Sequence, residues 1–203
     1  MKIVIIDYGM GNRRSIVSAV KKISEKIEII YSNNPDEIRS ADRLILPGVG
    51  SFGAAVDNLH SSGLRSVLNE LVVDKKIKIL GICLGMQLLC NTSDESPDKY
   101  GLGYINGHLS RFLEADSVRI PHVGFNTVCS ENSSLLSGIT NSDFYFTHSY
   151  KLQLSESIGS GETMYGQKFI SLFEKDNIFG VQFHPELSQK NGIKLIKNFI
   201  YNA

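Results

Sequence analysis

The sequence lacks any charge imbalance and any long apolar run. Its 203 residues carry 21 basic and 21 acidic side chains, so the formal net charge is zero. This balance argues against nucleic acid or an anionic membrane as the main partner. No apolar run approaches the roughly 20 residues that a membrane span needs. The first residues read as a short strand without a small-residue cleavage site, so we expect no signal peptide and a cytoplasmic location.

Cysteine is scarce as well. The chain has Cys83, Cys90 and Cys129, and no Cys-x-x-Cys pair. An odd number without such a pair argues against a disulfide framework and against a zinc site, and we expect no metal and no cofactor. Cys90 and Cys129 are predicted to be small buried apolar residues.

The order of predicted elements indicates an α/β fold. In the first half, continuous Ile, Val and Leu runs predict strands that alternate with helices, which favours a doubly wound parallel sheet. Strands are predicted at 2–7, 26–31, 43–46 and 77–82, and helices at 12–24, 53–60, 63–74 and 84–91.

The second half is rich in strands and adds an antiparallel part to the sheet. Strands are predicted at 103–112, 118–120, 143–147, 149–154, 162–167, 169–174 and 178–183, with a loop at 91–98 and a helix at 189–201. The length suits one domain, and composition shows no break and no repeat, so we predict a single domain over 1–203.

Cys83 stands at the turn between a predicted strand and a predicted helix. Gly81 and Gly85 lie two residues away on either side. This is the pattern of a nucleophile elbow, in which the close approach of strand and helix requires small neighbours. The N-terminal end of the helix favours a thiolate and a developing oxyanion. Cys83 is therefore the predicted nucleophile.

His184 is the predicted base. It ends an apolar strand in the run His184-Pro185-Glu186. The proline keeps His184 extended, and in an extended chain residues two apart share a face. Glu186 is thus predicted to orient the imidazole, as the acid does in hydrolase triads.

A literal Gly-x-Gly-x-x-Gly occurs at 48–53. A dinucleotide site would place it after the first strand, with an acidic residue at the end of the next. Here it follows the third strand and no such acid follows, so we do not expect a dinucleotide.

Several motifs together resemble one family. They are Gly-Ile-Cys-Leu-Gly-Met-Gln at 81–87, Pro-Gly-Val-Gly at 47–50 and Gln-Phe-His-Pro-Glu at 182–186. These resemble the class I (triad) glutamine amidotransferases, which have a flavodoxin-like fold. The segments 6–12, 121–126 and 146–150 resemble, more narrowly, the glutaminase subunit of imidazole glycerol phosphate synthase. The similarity runs from residue 1 to about residue 201.

The resemblance implies roles for further residues. Backbone N–H groups of Val49, Gly50 and Leu84 would form the oxyanion hole. The substrate glutamine would contact Gln87, one helical turn after Cys83, and also Glu95, His148 and Ser149. The residues implied to face a partner are Asn12, Arg13, His122, Phe125 and Leu187. For His122 and His148 we favour hydrogen-bonded structural histidines.

The implied reaction hydrolyses glutamine to glutamate and ammonia. Because free ammonia is largely protonated at neutral pH, an acceptor enzyme must receive it out of water, and we expect that enzyme to be a separate chain. In the resembled family it is a (β/α)8-barrel cyclase of histidine biosynthesis. The cyclase produces imidazole glycerol phosphate and aminoimidazole carboxamide ribotide.

Three departures from the family pattern leave room for a different acceptor. The family usually has Trp at Phe125, Lys at Leu187 and Leu at Arg13. A paralogue with the same glutaminase site would supply ammonia to a barrel partner acting on a nucleotide-linked surface sugar. A non-catalytic regulatory partner protein is a further alternative, but the complete triad argues against it. Gln87 argues against an unrelated cysteine hydrolase of the same fold.

Overall fold

A mixed β-sheet forms the centre of the molecule in the computed structural model, which describes residues 1–113 and 118–203. Its strands and those of a smaller ribbon are β1 (Lys2–Ile6), β2 (Glu28–Ser32), β3 (Arg43–Leu46), β4 (Lys78–Ile82), β5 (Thr92–Ser93), β6 (Gly107–Arg111), β7 (His122–Thr127), β8 (Asp143–His148), β9 (Tyr150–Leu154), β10 (Gly159–Tyr165), β11 (Gln167–Lys175) and β12 (Ile178–Val181). The α-helices are α1 (Arg13–Ile23), α2 (Pro35–Arg39), α3 (Phe52–Ser61), α4 (Leu64–Leu68), α5 (Leu84–Leu88) and α6 (Gln189–Tyr201).

The strand order explains why two distant motifs meet. The sheet runs β2-β1-β3-β4-β12-β11-β9-β6-β5, with β10 added on β11. The pairs from β2 to β12 are parallel, and β11 then begins an antiparallel part. Since β4 and β12 are parallel neighbours, the residues after each strand emerge at the same edge of the sheet.

Helices cover both faces of the parallel part, as a doubly wound fold requires. Along β1, Val4 and Ile6 belong to one apolar cluster, while Ile3 and Ile5 belong to the other. The first cluster contains buried residues of α2, α3, α4 and α5, and the second those of α1 and α6. The predicted α/β fold with a mostly parallel sheet and an antiparallel part is confirmed. None of the described helices is of a length and apolarity that would let it cross a membrane.

The ribbon β7–β8 departs from the prediction. The strand predicted at 118–120 does not form, and the structure instead places a strand at His122–Thr127, paired with β8. The inward-facing positions of β7 are His122, Gly124 and Asn126, whereas Val123 and Phe125 point outward and are exposed. Because the usual apolar-inward pattern is inverted, hydrophobic periodicity gives no signal for this strand.

Two helix predictions also need correction. The short helix α2 is absent from the predicted elements, although Asn34 caps it and Pro35 begins it. The helix predicted at 84–91 ends at Leu88 instead. The carbonyls of Leu88 and Cys90 accept hydrogen bonds from Leu102 and Gly103, so backbone contacts with a later loop replace the last helical turn.

Candidate active site

Cys83 occupies a strained turn between β4 and α5. Its φ is 53° and its ψ is −110°, in a region that non-glycine residues rarely adopt. A Cβ on Gly81 would lie 2.7 Å from the backbone of Met86, and one on Gly85 would lie 1.8 Å from the carbonyl oxygen of Leu46. The two flanking glycines are therefore required by the close packing of strand and helix, as the elbow pattern predicts.

His184 lies beside Cys83 because it follows β12, the parallel neighbour of β4. Its backbone is extended, with φ −101° and ψ 93°, and Pro185 begins a 3-10 turn over Pro185–Leu187. The Nδ1 atom of His184 is 2.8 Å from Oε1 of Glu186, and both side chains are almost completely buried. The geometry expected of an orienting carboxylate two residues after the histidine is thus present.

The environment of His184 favours its cation. Burial lowers the pKa of His184, but the nearby Cys83 sulfur and the hydrogen-bonded Glu186 carboxylate outweigh it and raise the pKa to about 10. The Nε2 atom is buried and has no well-formed hydrogen bond to a described residue. It is the ring nitrogen that can exchange a proton with a sulfur or a leaving group.

A cavity of about 400 Å³ opens above the cysteine. It brings together Cys83 and His184 with all the residues predicted to bind the substrate or the oxyanion. Its lining is Val49, Gly50, Cys83, Leu84, Gln87, Glu95, Pro121, Thr147, His148, Ser149, Tyr150 and His184. Larger depressions lie against α1 and near Cys129, but neither contains Cys83 or His184.

The segment after β3, Gly48 to Gly50, is predicted to supply the oxyanion hole and contains two constrained glycines. Gly50 has φ +115°, a conformation open to glycine, and a Cβ there would lie 2.5 Å from Cε of Met10. Gly48 packs so tightly that a Cβ would lie 2.6 Å from Cβ of Leu84. The loop is thus held against α5 at Gly48, while Val49 is 44% exposed at the cavity.

Gln87 and Glu95 make contacts that the sequence does not reveal. The Nε2 of Gln87 donates to Oε1 of Gln182 at 3.1 Å. Glu95 accepts a hydrogen bond from the backbone N–H of Phe52 at 2.8 Å, at the start of α3. The sequence gives Gln182 no role beyond its place in a motif. In the folded structure its side chain contacts both Gln87 and Cys83, and these contacts cannot be predicted from the sequence.

His122 and His148 form an ordered chain of hydrogen bonds. Nδ1 of His148 lies 2.7 Å from the Tyr150 carbonyl oxygen, which accepts only, so Nδ1 carries the proton. Nε2 of His148 then accepts from Nδ1 of His122 at 3.0 Å, and Nε2 of His122 accepts from Asn126 at 3.3 Å. Burial lowers the pKa of His122 to about 4 and that of His148 to about 3. Both are therefore neutral, hydrogen-bonded histidines.

The residues expected to face a partner do not all lie at the surface. Phe125 and Leu187 are 52% and 40% exposed, and Arg13 lies over the Tyr31 ring, with 4.7 Å between guanidinium carbon and ring centroid. Asn12 caps α1 by accepting from the N–H of Ser15. The side chain of His122 is buried, unlike those of Phe125 and Leu187.

The remaining cysteines differ from each other. Cys90 is fully buried, and burial raises the pKa of its thiol, as expected for a small core residue. Cys129 is exposed, so its prediction as a buried residue is wrong. Within residues 1–113 and 118–203, no group of three or more His, Cys, Asp or Glu side chains is arranged to hold a metal ion.

Comparison with known proteins identifies the class to which this site belongs. The family model described as "Glutamine amidotransferase class-I" matches residues 4–203. The chain belongs to the class-I glutamine amidotransferase family. The crystal structure of a glutamine amidotransferase superposes with a TM-score of 0.77, and the match covers 97% of this chain and 96% of that chain. Its sequence identity is 18%, so it supports the fold alone.

Within this family the chain is similar to a particular synthase subunit. It is 47% identical to imidazole glycerol phosphate synthase subunit HisH 2 of Methanococcus maripaludis, over 99% of this chain and 100% of that protein. It is 44% identical to subunit HisH 1 of the same organism, over 98% of each chain. Subunit HisH of Methanocaldococcus jannaschii is also 44% identical, over 97% of each chain.

Proposed function

We infer that this protein is the glutaminase subunit of an imidazole glycerol phosphate synthase. It hydrolyses glutamine, and the ammonia passes to a separate cyclase subunit in histidine biosynthesis. The observation that carries the proposal is the buried arrangement of Cys83, His184 and Glu186 at one edge of the sheet, below a cavity. The full-length similarity to HisH subunits supports the choice of pathway.

The geometry supports a thiolate mechanism with three named groups. The Cys83 sulfur attacks the side-chain amide of glutamine. His184, held as a cation, gives its proton to the leaving ammonia and afterwards takes one from the water that attacks the thioester. Glu186 keeps the ring in place through Nδ1, so that Nε2 faces the reaction.

Backbone N–H groups supply the oxyanion hole in this proposal. Leu84 is the first residue of α5, where an N–H has no acceptor within the helix. Val49 or Gly50 supplies the second donor from the opposite wall. Gln87, Glu95, His148 and Ser149 hold the remaining polar groups of glutamine, with the carboxylate of Glu95 suited to the substrate ammonium.

A partner surface close to the site supports assembly with a cyclase. Val123 and Phe125 are apolar and exposed on β7, and the Phe125 ring packs against Tyr145, with centroids 5.7 Å apart. The carbonyl of Tyr145 accepts from the N–H of His184 at 2.8 Å. A subunit bound at Phe125 would therefore be two contacts away from the base. We propose a (β/α)8-barrel cyclase as that subunit and the cytoplasm as the location.

A second candidate function has a specific observation in its favour. The chain is similar to two numbered HisH subunits of one organism, so this family includes duplicated members. Phe125, Leu187 and Arg13 depart from the usual family pattern and are all exposed, which would suit a different partner. In this second function the glutaminase supplies ammonia to a barrel enzyme that acts on a nucleotide-linked surface sugar.

Glutamate release in the presence of each candidate cyclase tests the proposal. The histidine-pathway cyclase of the same genome, loaded with its nucleotide substrate, should stimulate glutamine hydrolysis and yield imidazole glycerol phosphate. Cys83→Ala should abolish hydrolysis, while Cys129→Ala, an exposed cysteine away from the cavity, should leave it unchanged. Stimulation only by a sugar-modifying barrel enzyme would favour the second function. Hydrolysis retained by Cys83→Ala would contradict both.

A further inference from the structure

A second glutamine side chain lies beneath the cavity and contacts the nucleophile. Gln182 has no exposed surface. Its Nε2 donates to the sulfur of Cys83 at 3.6 Å, and its Oε1 accepts from Nε2 of Gln87 at 3.1 Å. One buried amide therefore connects the attacking atom with a residue that lines the substrate cavity.

The backbone around Gln182 holds this amide in place. Val181 is the register partner of Ile82 in the parallel pair β12–β4, and the N–H of Cys83 donates to the Val181 carbonyl at 2.8 Å. The N–H of Gln182 itself donates to the Ser171 carbonyl at 2.9 Å, on the β11 side. Because neighbours on both sides fix its backbone, Gln182 has little freedom to turn away from the sulfur.

The polarity of the amide gives it a defined effect. An N–H that donates to sulfur stabilises the thiolate more than the thiol, because the acceptor is then charged. With its N–H on the sulfur, the amide must present its oxygen to the other side. There it accepts from Gln87, which fixes the orientation of the Gln87 amide as well.

We propose that Gln182 is a positioning residue for the glutaminase reaction. It holds the Cys83 thiolate in the elbow and sets the orientation of the Gln87 amide at the substrate cavity. This inference rests on the proposed glutaminase function, which assigns the nucleophile to Cys83.

Several other side chains and one backbone carbonyl also surround the sulfur. The titratable side chains that face Cys83 or share its cavity are His184, Tyr8, His148, Tyr150 and Glu95. The thiol also points to the Thr147 carbonyl oxygen at 3.9 Å. Gln182 is uncharged, so replacing it by Met changes a hydrogen bond to the sulfur while these titratable groups stay in place.

Alkylation of Cys83 by iodoacetamide as a function of pH tests the proposal directly, since it reports thiolate formation without requiring substrate or partner. The full chain carries Cys129→Ser, because Cys129 is exposed, and mass spectrometry follows the Cys83 peptide. Gln182→Met removes the donor at similar length, and Gln182→Glu places a carboxylate against the sulfur. Gln153→Met, on the exposed side of β9, is the matched control.

We expect Gln182→Met to move the midpoint of alkylation upward by about one pH unit, roughly a tenfold loss of reactivity below the midpoint, because a hydrogen bond to a charged group is lost. Gln182→Glu should move it further, and Gln153→Met should not move it. In glutamine hydrolysis, Gln182→Met should lower kcat and raise KM, since both Cys83 and Gln87 lose their support.

Two outcomes overturn the inference. One is an unchanged alkylation midpoint in both Gln182 variants, which would limit Gln182 to packing even if activity fell. The other is unchanged kcat and KM in Gln182→Met with a native melting temperature. If Gln182→Met does not fold, the Gln182→Glu midpoint alone decides. An unreactive Cys83 in the wild-type chain would instead count against the proposed function, so the two failures are distinguishable.

Discussion

At the scale of single residues, the site depends on opposing effects around His184. Burial favours the neutral ring, whereas Cys83 and Glu186 favour the cation and outweigh burial. The result is an imidazole that is already protonated at neutral pH, next to a sulfur that receives an N–H from Gln182. In the proposed mechanism, this protonated ring lies beside the attacking sulfur and is ready to donate a proton to the leaving ammonia.

Replacing members of the triad should have graded effects. His184→Ala should lower kcat for glutamine hydrolysis by about 1,000-fold or more, because the proton carrier is lost. Glu186→Gln should cost less, since it removes only the orienting charge. Steady-state assays of both variants with the partner present provide the measurement. A mild effect of His184→Ala would mean that the base lies elsewhere.

The Glu186 variant should also change the pH dependence of hydrolysis. The carboxylate raises the pKa of His184, so Glu186→Gln lowers that pKa. The imidazolium is then lost at a lower pH, and the alkaline limb of the rate profile should move to lower pH. The profile of kcat/KM between pH 6 and 11 provides the test. An alkaline limb that stays in place would show that Glu186 does not control the charge of His184.

The sequence predicts much of the site at this scale, and the reason is local. The elbow is predicted from Gly81, Cys83 and Gly85, which lie two residues apart. The base and its orienting carboxylate are predicted from the run His184 to Glu186, so in both cases neighbouring residues are enough. Gln182 contacts residues about a hundred positions away, at Cys83 and Gln87. Nothing in its sequence neighbourhood indicates this contact, because it depends on β12 pairing with β4.

At the scale of elements, continuous apolar runs predict well and half-exposed segments do not. The strand predicted at 43–46 and the helix predicted at 189–201 match β3 and α6 in their bounds. These segments bury apolar residues with the expected period. The ribbon strand β7 instead directs polar side chains inward, among them His122 and Asn126. These side chains form hydrogen bonds in the folded structure.

The ribbon should make stability depend on pH. The pKa values of His122 and His148 are lower in the folded chain, about 4 and 3, than the ordinary value of 6.5. As pH falls below 6.5, these two histidines take up protons in the unfolded chain before they do so in the folded chain. The stability that they contribute above pH 6.5 is therefore lost progressively between pH 6.5 and their pKa values in the folded chain. Urea unfolding of the wild-type chain from pH 7 to pH 4 should show this decline.

The matched variants are His122→Asn in the ribbon and His60→Asn near the end of α3, where the side chain is exposed. His122→Asn should reduce the slope of the free energy of unfolding against pH over this range, because one buried titrating group is gone. His60→Asn should leave the slope unchanged. Equal slopes in all three proteins would show that the ribbon histidines do not carry the effect.

The packing of the elbow can be tested with one methyl group. Gly85→Ala should lower the free energy of unfolding by about 3 kcal/mol, because the new Cβ would lie 1.8 Å from the Leu46 carbonyl oxygen and strand or helix must shift. Gly103→Ala is the control. Its Cβ meets nothing within 4 Å, and only its φ of +75° costs energy, about 1 kcal/mol. Similar losses in both variants would contradict the steric argument.

At the scale of the whole molecule, the site and the proposed partner surface share the ribbon β7–β8. Phe125 is exposed on one strand, while Thr147 and His148 at the end of the other line the cavity. A subunit docked on the ribbon is in a position to adjust the cavity through this pair of strands. We therefore expect the isolated chain to be a poor glutaminase and to be activated when its partner holds the acceptor.

The size of activation has a physical scale. Gly50, at φ +115°, gives the oxyanion segment the freedom to turn a peptide, and one N–H gained for the oxyanion is worth roughly 100- to 1,000-fold in rate. Steady-state rates of the chain alone, with partner, and with partner and acceptor measure it. Phe125→Ala should lower the activation by the partner by a larger factor than it lowers the rate of the isolated chain. Equal rates in all three states would mean that no such switch operates.

In the proposed function, Cys83 serves the acyl step alone, within a complex that uses the released ammonia. The most direct measurement is product formation by the assembled synthase carrying Cys83→Ala, with either glutamine or an ammonium salt as nitrogen source. We expect no product from glutamine and near wild-type product formation from ammonium. Product formed from glutamine, or an equal loss with ammonium, would contradict it.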